Sequence, residues 1–227
     1  MNFPNRRPVI LSGCHGGGTS FVAKMLRHCG LFIGADAEPL DARKYHESRA
    51  FRKQNEQYLE GFGEKLGFSD ATLLAFDAAL SSPGVTVKLA EKIDLKSIGQ
   101  SYWGNKSRSD LWGWKDPRNS LTAPVWKVHF PDALFVVITK KVDDSASRSP
   151  SGEWFRRVAS DYARTRYMAP YWLEHWENAK SFQFESLVGD VHSFNRLLAF
   201  CGIRALPAVE FEILLKICNY EKSGCNT

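Results

Sequence analysis

Between Gly13 and Ser20 the chain reads Gly-Cys-His-Gly-Gly-Gly-Thr-Ser, a spacing suited to holding an anion. Glycines let backbone N–H groups approach a negative charge closely and adopt positive φ. A helix beginning at Thr19 adds its own N–H groups and the positive end of its dipole. Together these make a phosphate cradle from Gly13, Cys14, His15, Gly16, Gly17, Gly18, Thr19 and Ser20. Gly13 and Gly18 match the outer glycines of the loop G-x-x-x-x-G-K-[ST], and Ser20 matches its hydroxyl. Thr19 stands where that loop carries the lysine that grips a nucleotide's β/γ-phosphates. The apolar run Leu134–Ile138 ends in Thr139-Lys140 rather than in a magnesium-holding Asp. A P-loop nucleotide kinase is thus an alternative against which two positions count. A plain strand-to-helix turn is another, but three consecutive glycines cost backbone entropy that a close approach to an anion would explain.

The elements around this loop follow from hydrophobic pattern. Pro8–Leu11 reads as a buried strand, and from Thr19 the residues Phe21, Val22, Met25, Leu26 and Cys29 line one face of a helix that ends at Gly30. Leu134–Ile138 is the clearest strand, with Val85–Leu89, Leu111–Lys115 and Ser181–Phe184 as further strand candidates. Helical patterns cover His46–Phe62, Asn119–Phe130, Gly152–Trp176, Val188–Cys201 and Pro207–Ile217. Strands alternating with helices predict a three-layer α/β/α domain, P-loop NTPase-like, with a central parallel sheet of about four or five strands. No repeat or linker interrupts residues 1–227, which read as one domain.

Composition narrows the function. With 44% hydrophobic and 13% aromatic residues the 227-residue chain can bury a core, and its 24% charged content is ordinary. The formal net charge of +5 suits a protein that handles a polyanionic small molecule. There is no Lys/Arg run or basic stripe, so nucleic acid is not expected as a partner. Five scattered cysteines form neither a CxxC pair nor a zinc pattern with His, so no metal and a reducing, cytoplasmic setting are expected. No stretch reaches the roughly 18 apolar residues of a membrane span, and Met1–Arg7 lacks a signal-peptide core.

The loop Gly13-x-x-x-x-Gly18-Thr19-Ser20 followed by an apolar helix resembles the 5′-phosphosulfate loop of sulfotransferases that use 3′-phosphoadenosine 5′-phosphosulfate (PAPS). Other segments agree with bacterial-type members of that family. His46-Glu47 with Phe51, Asn55 and Leu59 is similar to a Glu-Phe-Asn-Leu series, and Trp112–Arg118 resembles a W-x-W-K-D-P-R element. Phe130–Ile138 with Lys140 to Ala146 is similar to the strand and 3′-phosphate segment. Phe184–Leu187 and Phe200–Ile203 resemble the closing strand and helix. Three positions depart: Gly16 replaces an Arg or Lys of the loop, Lys140 replaces an Arg, and Arg148 replaces a Ser, with Ser147 and Ser149 beside it.

The resemblance implies sulfuryl transfer from PAPS, without a metal, to a hydroxyl or amine of a carbohydrate or small metabolite. A non-catalytic nucleotide-binding protein on the same fold is the alternative that Gly16 raises. In an active enzyme Lys115 would meet the negative charge developing on the leaving phosphate oxygen. Glu47 is favoured as the base for the acceptor's proton, with His46, Asp116 and His15 also possible. A protonated His15 could partly replace the missing loop cation. Lys140, Ser147 and Arg148 would meet the 3′-phosphate of PAPS or of its product PAP. Trp154, Tyr162, Tyr167, Tyr171, Trp172 and Trp176 lie at helical spacing and read as core rather than as a sugar platform. The protein would work as a monomer or homodimer.

Overall fold

Four short strands form the described sheet. They are β1 (Val9–Gly13), β2 (Gly113–Lys115), β3 (Leu134–Thr139) and β4 (Ala179–Gln183), in the order β2-β1-β3-β4 and parallel throughout. The structure, a computed structural model, describes residues 3–4, 6–37, 46–60, 74, 78–80, 82–105, 109–140 and 167–218. Every residue of β1 is buried, as expected for a central strand covered on both faces.

Side-chain alternation divides the interior into two cores. On one face Ile10, Trp114, Phe135 and Val137 pack beneath α2 (Arg49–Glu60), α3 (Pro83–Ala90), α4 (Leu95–Trp103) and α5 (Asn119–His129). On the other, Val9, Leu11, Leu134, Val136 and Ile138 meet α1 (Thr19–His28), α6 (Phe184–Gly189), α7 (Val191–Phe200) and α8 (Ala208–Ile217). This is the expected three-layer α/β/α arrangement, with four strands among the described residues. The first core is aromatic: Phe51 stacks on Trp114 with ring centroids 3.9 Å apart, and Trp126 meets both rings edge-on.

Two expected elements differ. Val85–Leu89 is not a strand but the middle of α3. Ser82 precedes this helix and Pro83 opens it, where a missing N–H costs nothing. Its β-branched residues were the misleading signal, and Thr86 returns its hydroxyl to the carbonyls of Leu80 and Ser82. The single helix expected over Val188–Cys201 is broken at Asp190, whose carboxylate accepts the N–H groups of His192 (3.2 Å) and Ser193 (2.8 Å) and starts α7 anew. Most of the helix expected over Gly152–Trp176 lies outside the described residues. Within them, Tyr171–Glu174 is a 3₁₀ turn whose Trp172 is core.

Candidate active site

All four strands point their C-terminal ends at the glycine loop, where ligands of parallel sheets bind. The loop leaves β1 at Gly13 and enters α1 at Thr19. Gly13 N–H donates to Ser120 Oγ at 3.1 Å, and Ser120 donates onward to the Tyr167 carbonyl at 2.7 Å. Gly17 N–H closes a turn on Cys14 O at 2.9 Å. The N-terminus of α1 has no side-chain cap and no acidic residue in its first turn, so its dipole end stays available to an anion.

Two glycines are dictated by geometry. Gly16 has φ 77°, a left-handed conformation that costs a side-chain-bearing residue roughly 1–2 kcal/mol. The backbone thus disfavours the loop cation that the resemblance would place there. Gly18 has φ 84°, and a Cβ on it would lie 2.3 Å from the Phe184 ring. Phe184 therefore seals the loop from below, and the ammonium of Lys140 stands 5.4 Å from the centre of that ring. Lys140 is thereby brought to the loop's end of the sheet. Ser147, Arg148 and Ser149 lie outside the described residues, as do Trp154 and Tyr162.

Lys115 ends β2 beside the loop. Its Nζ donates to Ser20 Oγ at 3.0 Å and to Glu47 Oε1 at 2.7 Å, with 2% of the lysine side chain and 9% of the glutamate exposed. A cation, a carboxylate and the loop hydroxyl are thus in one cluster at the cradle's mouth. Thr19, the other loop hydroxyl, is buried.

A polar network fixes this cluster from behind. Asn55 Nδ2 donates to Asp116 Oδ2 (2.8 Å) and Asn119 Oδ1 (2.9 Å). Its Oδ1 accepts from Thr122 Oγ1 (2.7 Å) and Trp126 Nε1 (2.8 Å). All four hydrogen-bonding positions of this buried amide are used, which ties α2 to the corner between β2 and α5. Asp116 also accepts from the Arg118 N–H (2.9 Å) and guanidinium (3.1 Å). Buried and accepting three hydrogen bonds, Asp116 anchors Asn55 and Arg118 to the corner after β2. Glu47, just ahead of α2, gives its carboxylate to Lys115, and one face of α2 then presents the Phe51 ring to Trp114, the Asn55 amide to the network and Leu59 to the core. Asn55, Arg118, Ser120 and Phe184 support the site. Asn55, Arg118 and Phe184 lie in the matched segments and Ser120 does not, and the partners of all four were not readable.

Comparison with known proteins adds little to this geometry. No family model and no curated protein matches the chain. A solved structure that it resembles is sulfotransferase STF1 from Mycobacterium tuberculosis H37Rv (type 1 form), at 16% identity and a TM-score of 0.46, over 95% of this chain and 72% of that one. A likeness of that size assigns no activity to this chain.

His15, at the loop's tip, packs edge-on against Tyr167 with centroids 5.6 Å apart. Desolvation, then the positive charges of Arg118 and Lys115, push its imidazole from 6.5 down to about 3. The ring is neutral at pH 7, so in the free protein it does not replace the missing loop cation as the sequence suggested. The unfolded chain takes a proton on this histidine near pH 6.5, whereas the folded one does so only near pH 3. The stability it permits is complete above the first value and declines as pH falls toward the second. His15→Gln should flatten the loss of thermal stability between pH 7 and 5, measured by melts across that range.

His46, next to Glu47, has φ 44° and is the one non-glycine residue at positive φ among those described. Desolvation and nearby cations, Arg27 foremost, lower its imidazole to about 4. Two residues on, Ser48 Oγ donates to Asp36 Oδ2 at 2.9 Å, and Ala50 N–H donates to the same oxygen at 3.0 Å. Burial pushes the Asp36 carboxyl up, and the bonds from Ala50 and Ser48 oppose that shift.

Among the described residues no group of three or more His, Cys, Asp or Glu could hold a metal ion, and no helix is long and apolar enough to cross a membrane.

Proposed function

We propose that this chain is a sulfotransferase that moves a sulfuryl group from PAPS to a hydroxyl or amine acceptor, a carbohydrate or small metabolite. The observation that carries the proposal is the ammonium of Lys115, which joins the loop hydroxyl Ser20 to the carboxylate of Glu47. Such transfer needs a cradle for the donor's phosphate, a cation for the leaving oxygen and a base for the acceptor. The loop Gly13–Ser20, Lys115 and Glu47 would fill these three roles. The acceptor oxygen attacks sulfur, the bond from sulfur to the bridging phosphate oxygen breaks, and that oxygen leaves with the electron pair beside Lys115. The acceptor's proton passes to Glu47. Once protonated, Glu47 no longer neutralises Lys115, and the ammonium's charge is available to the leaving oxygen. Loop N–H groups would hold the 5′-phosphate, and Lys140, with Ser147 and Arg148, the 3′-phosphate.

The kinase alternative finds less support. Thr19 supplies no ammonium to β/γ-phosphates, and β3 ends in Thr139 without an acidic residue. Calorimetric titration with PAP, alongside ATP with Mg²⁺, decides between them. PAP should bind with micromolar affinity, weakened by about tenfold or more in Lys140→Ala. Binding of ATP with Mg²⁺ and not of PAP would overturn the proposal.

A further inference from the structure

We infer that Asp36 is a positioning residue for Glu47: its carboxylate latches Ser48 and the first turn of α2, and so holds His46 in a left-handed conformation that aims Glu47 at Lys115. The inference rests on the sulfotransferase reading for the role of Glu47, but not for the latch itself. The α2 helix has no acidic residue in its first turn. Ser48 precedes it, the usual place for a capping hydroxyl, yet donates that hydroxyl to Asp36. Asp36 comes from the 3₁₀ turn Ala35–Ala37, which follows α1. It therefore serves the dipole end of a helix to which it does not belong and links the loop's own helix to the carboxylate facing the loop.

His46 shows that the latch bears load. Positive φ strains a residue that carries a side chain unless its surroundings hold it, and here the bonds of Asp36 fix the chain just after His46. Without them His46 can relax to negative φ, turning the peptide that carries Glu47 and separating the carboxylate from Lys115. Asparagine's short side chain can hydrogen-bond locally and so sustains the left-handed conformation, so His46→Asn should keep Glu47 aimed even without Asp36.

The test uses amine-reactive footprinting read by mass spectrometry, together with transfer kinetics. In Asp36→Ala, labelling of Lys115 should rise several-fold while Lys24 and Lys127 are unchanged. Turnover should fall about tenfold to a hundredfold, with PAP affinity held within about twofold. Adding His46→Asn should restore most of both losses. If all three lysines gain labelling together and His46→Asn rescues nothing, Asp36 merely supports the fold and the inference is overturned. Unchanged labelling of Lys115 in Asp36→Ala overturns it equally. Should the unaltered protein neither bind PAP nor transfer sulfate, the sulfotransferase reading fails, while the footprint still decides the latch.

Discussion

Replacing Lys115 with alanine should lower turnover at saturating donor by about 10²–10³-fold, the usual consequence of removing one group that stabilises transition-state charge. The same change should also destabilise the fold. Lys115 is buried, Glu47 is mostly covered, and they lie 2.7 Å apart; removing one partner of such a pair strands the other's charge, at about 3–5 kcal/mol. The two effects are separable. In Lys115→Met/Glu47→Gln neither charge remains, so the urea midpoint should recover most of its loss while transfer stays abolished. If the double variant recovers transfer along with stability, Lys115 takes no part in the chemistry. Labelled-donor assays and denaturation curves on the two variants supply the comparison.

Gly18→Ala should be nearly as damaging, for steric reasons. The backbone there has φ 84°, and the new methyl would sit 2.3–2.8 Å from three carbons of the Phe184 ring. Left-handed strain contributes roughly 1–2 kcal/mol, and overpacking about 1–3 kcal/mol. Affinity for PAP should fall by at least about tenfold, since each 1.4 kcal/mol expressed in binding is a factor of ten. Phe184→Ala made alongside removes the clash but not the strain, and should therefore restore stability only in part. PAP binding unchanged in Gly18→Ala would show that the loop does not hold the nucleotide.

Much of this site could be read from residue order because anion cradles depend on backbone and glycine, which leave a trace in sequence. The loop, the strand Leu134–Ile138 and the lysine that ends Gly113–Lys115 all stand where pattern placed them. Charge state and partners were less legible. His15 looked like a spare cation if protonated, and burial first, then the charges of Arg118 and Lys115, distant in the chain, keep it neutral. Asp116 stood among four possible bases, and its bonds from Asn55 and Arg118 could not be read from residue order. Val85–Leu89 failed for a different reason. Strand propensity of β-branched residues is a weak preference that packing overrides, and the Ser-Pro start of a helix was the better signal. The latch of Asp36 had no sequence signature, since it joins residues on either side of a segment with no periodicity of its own.

The strand order has a consequence for how the molecule is made. β1 is the first of the described strands, yet it has a neighbour on each side, pairing Val9 with both Gly113 and Leu134. It must wait for both to be made, β2 before β3. Contacts so remote in sequence slow folding and leave apolar edges uncovered meanwhile. The segment Val9–Leu11, buried in the finished protein and carrying the loop, is thus apolar surface that the growing chain leaves uncovered until both partners exist.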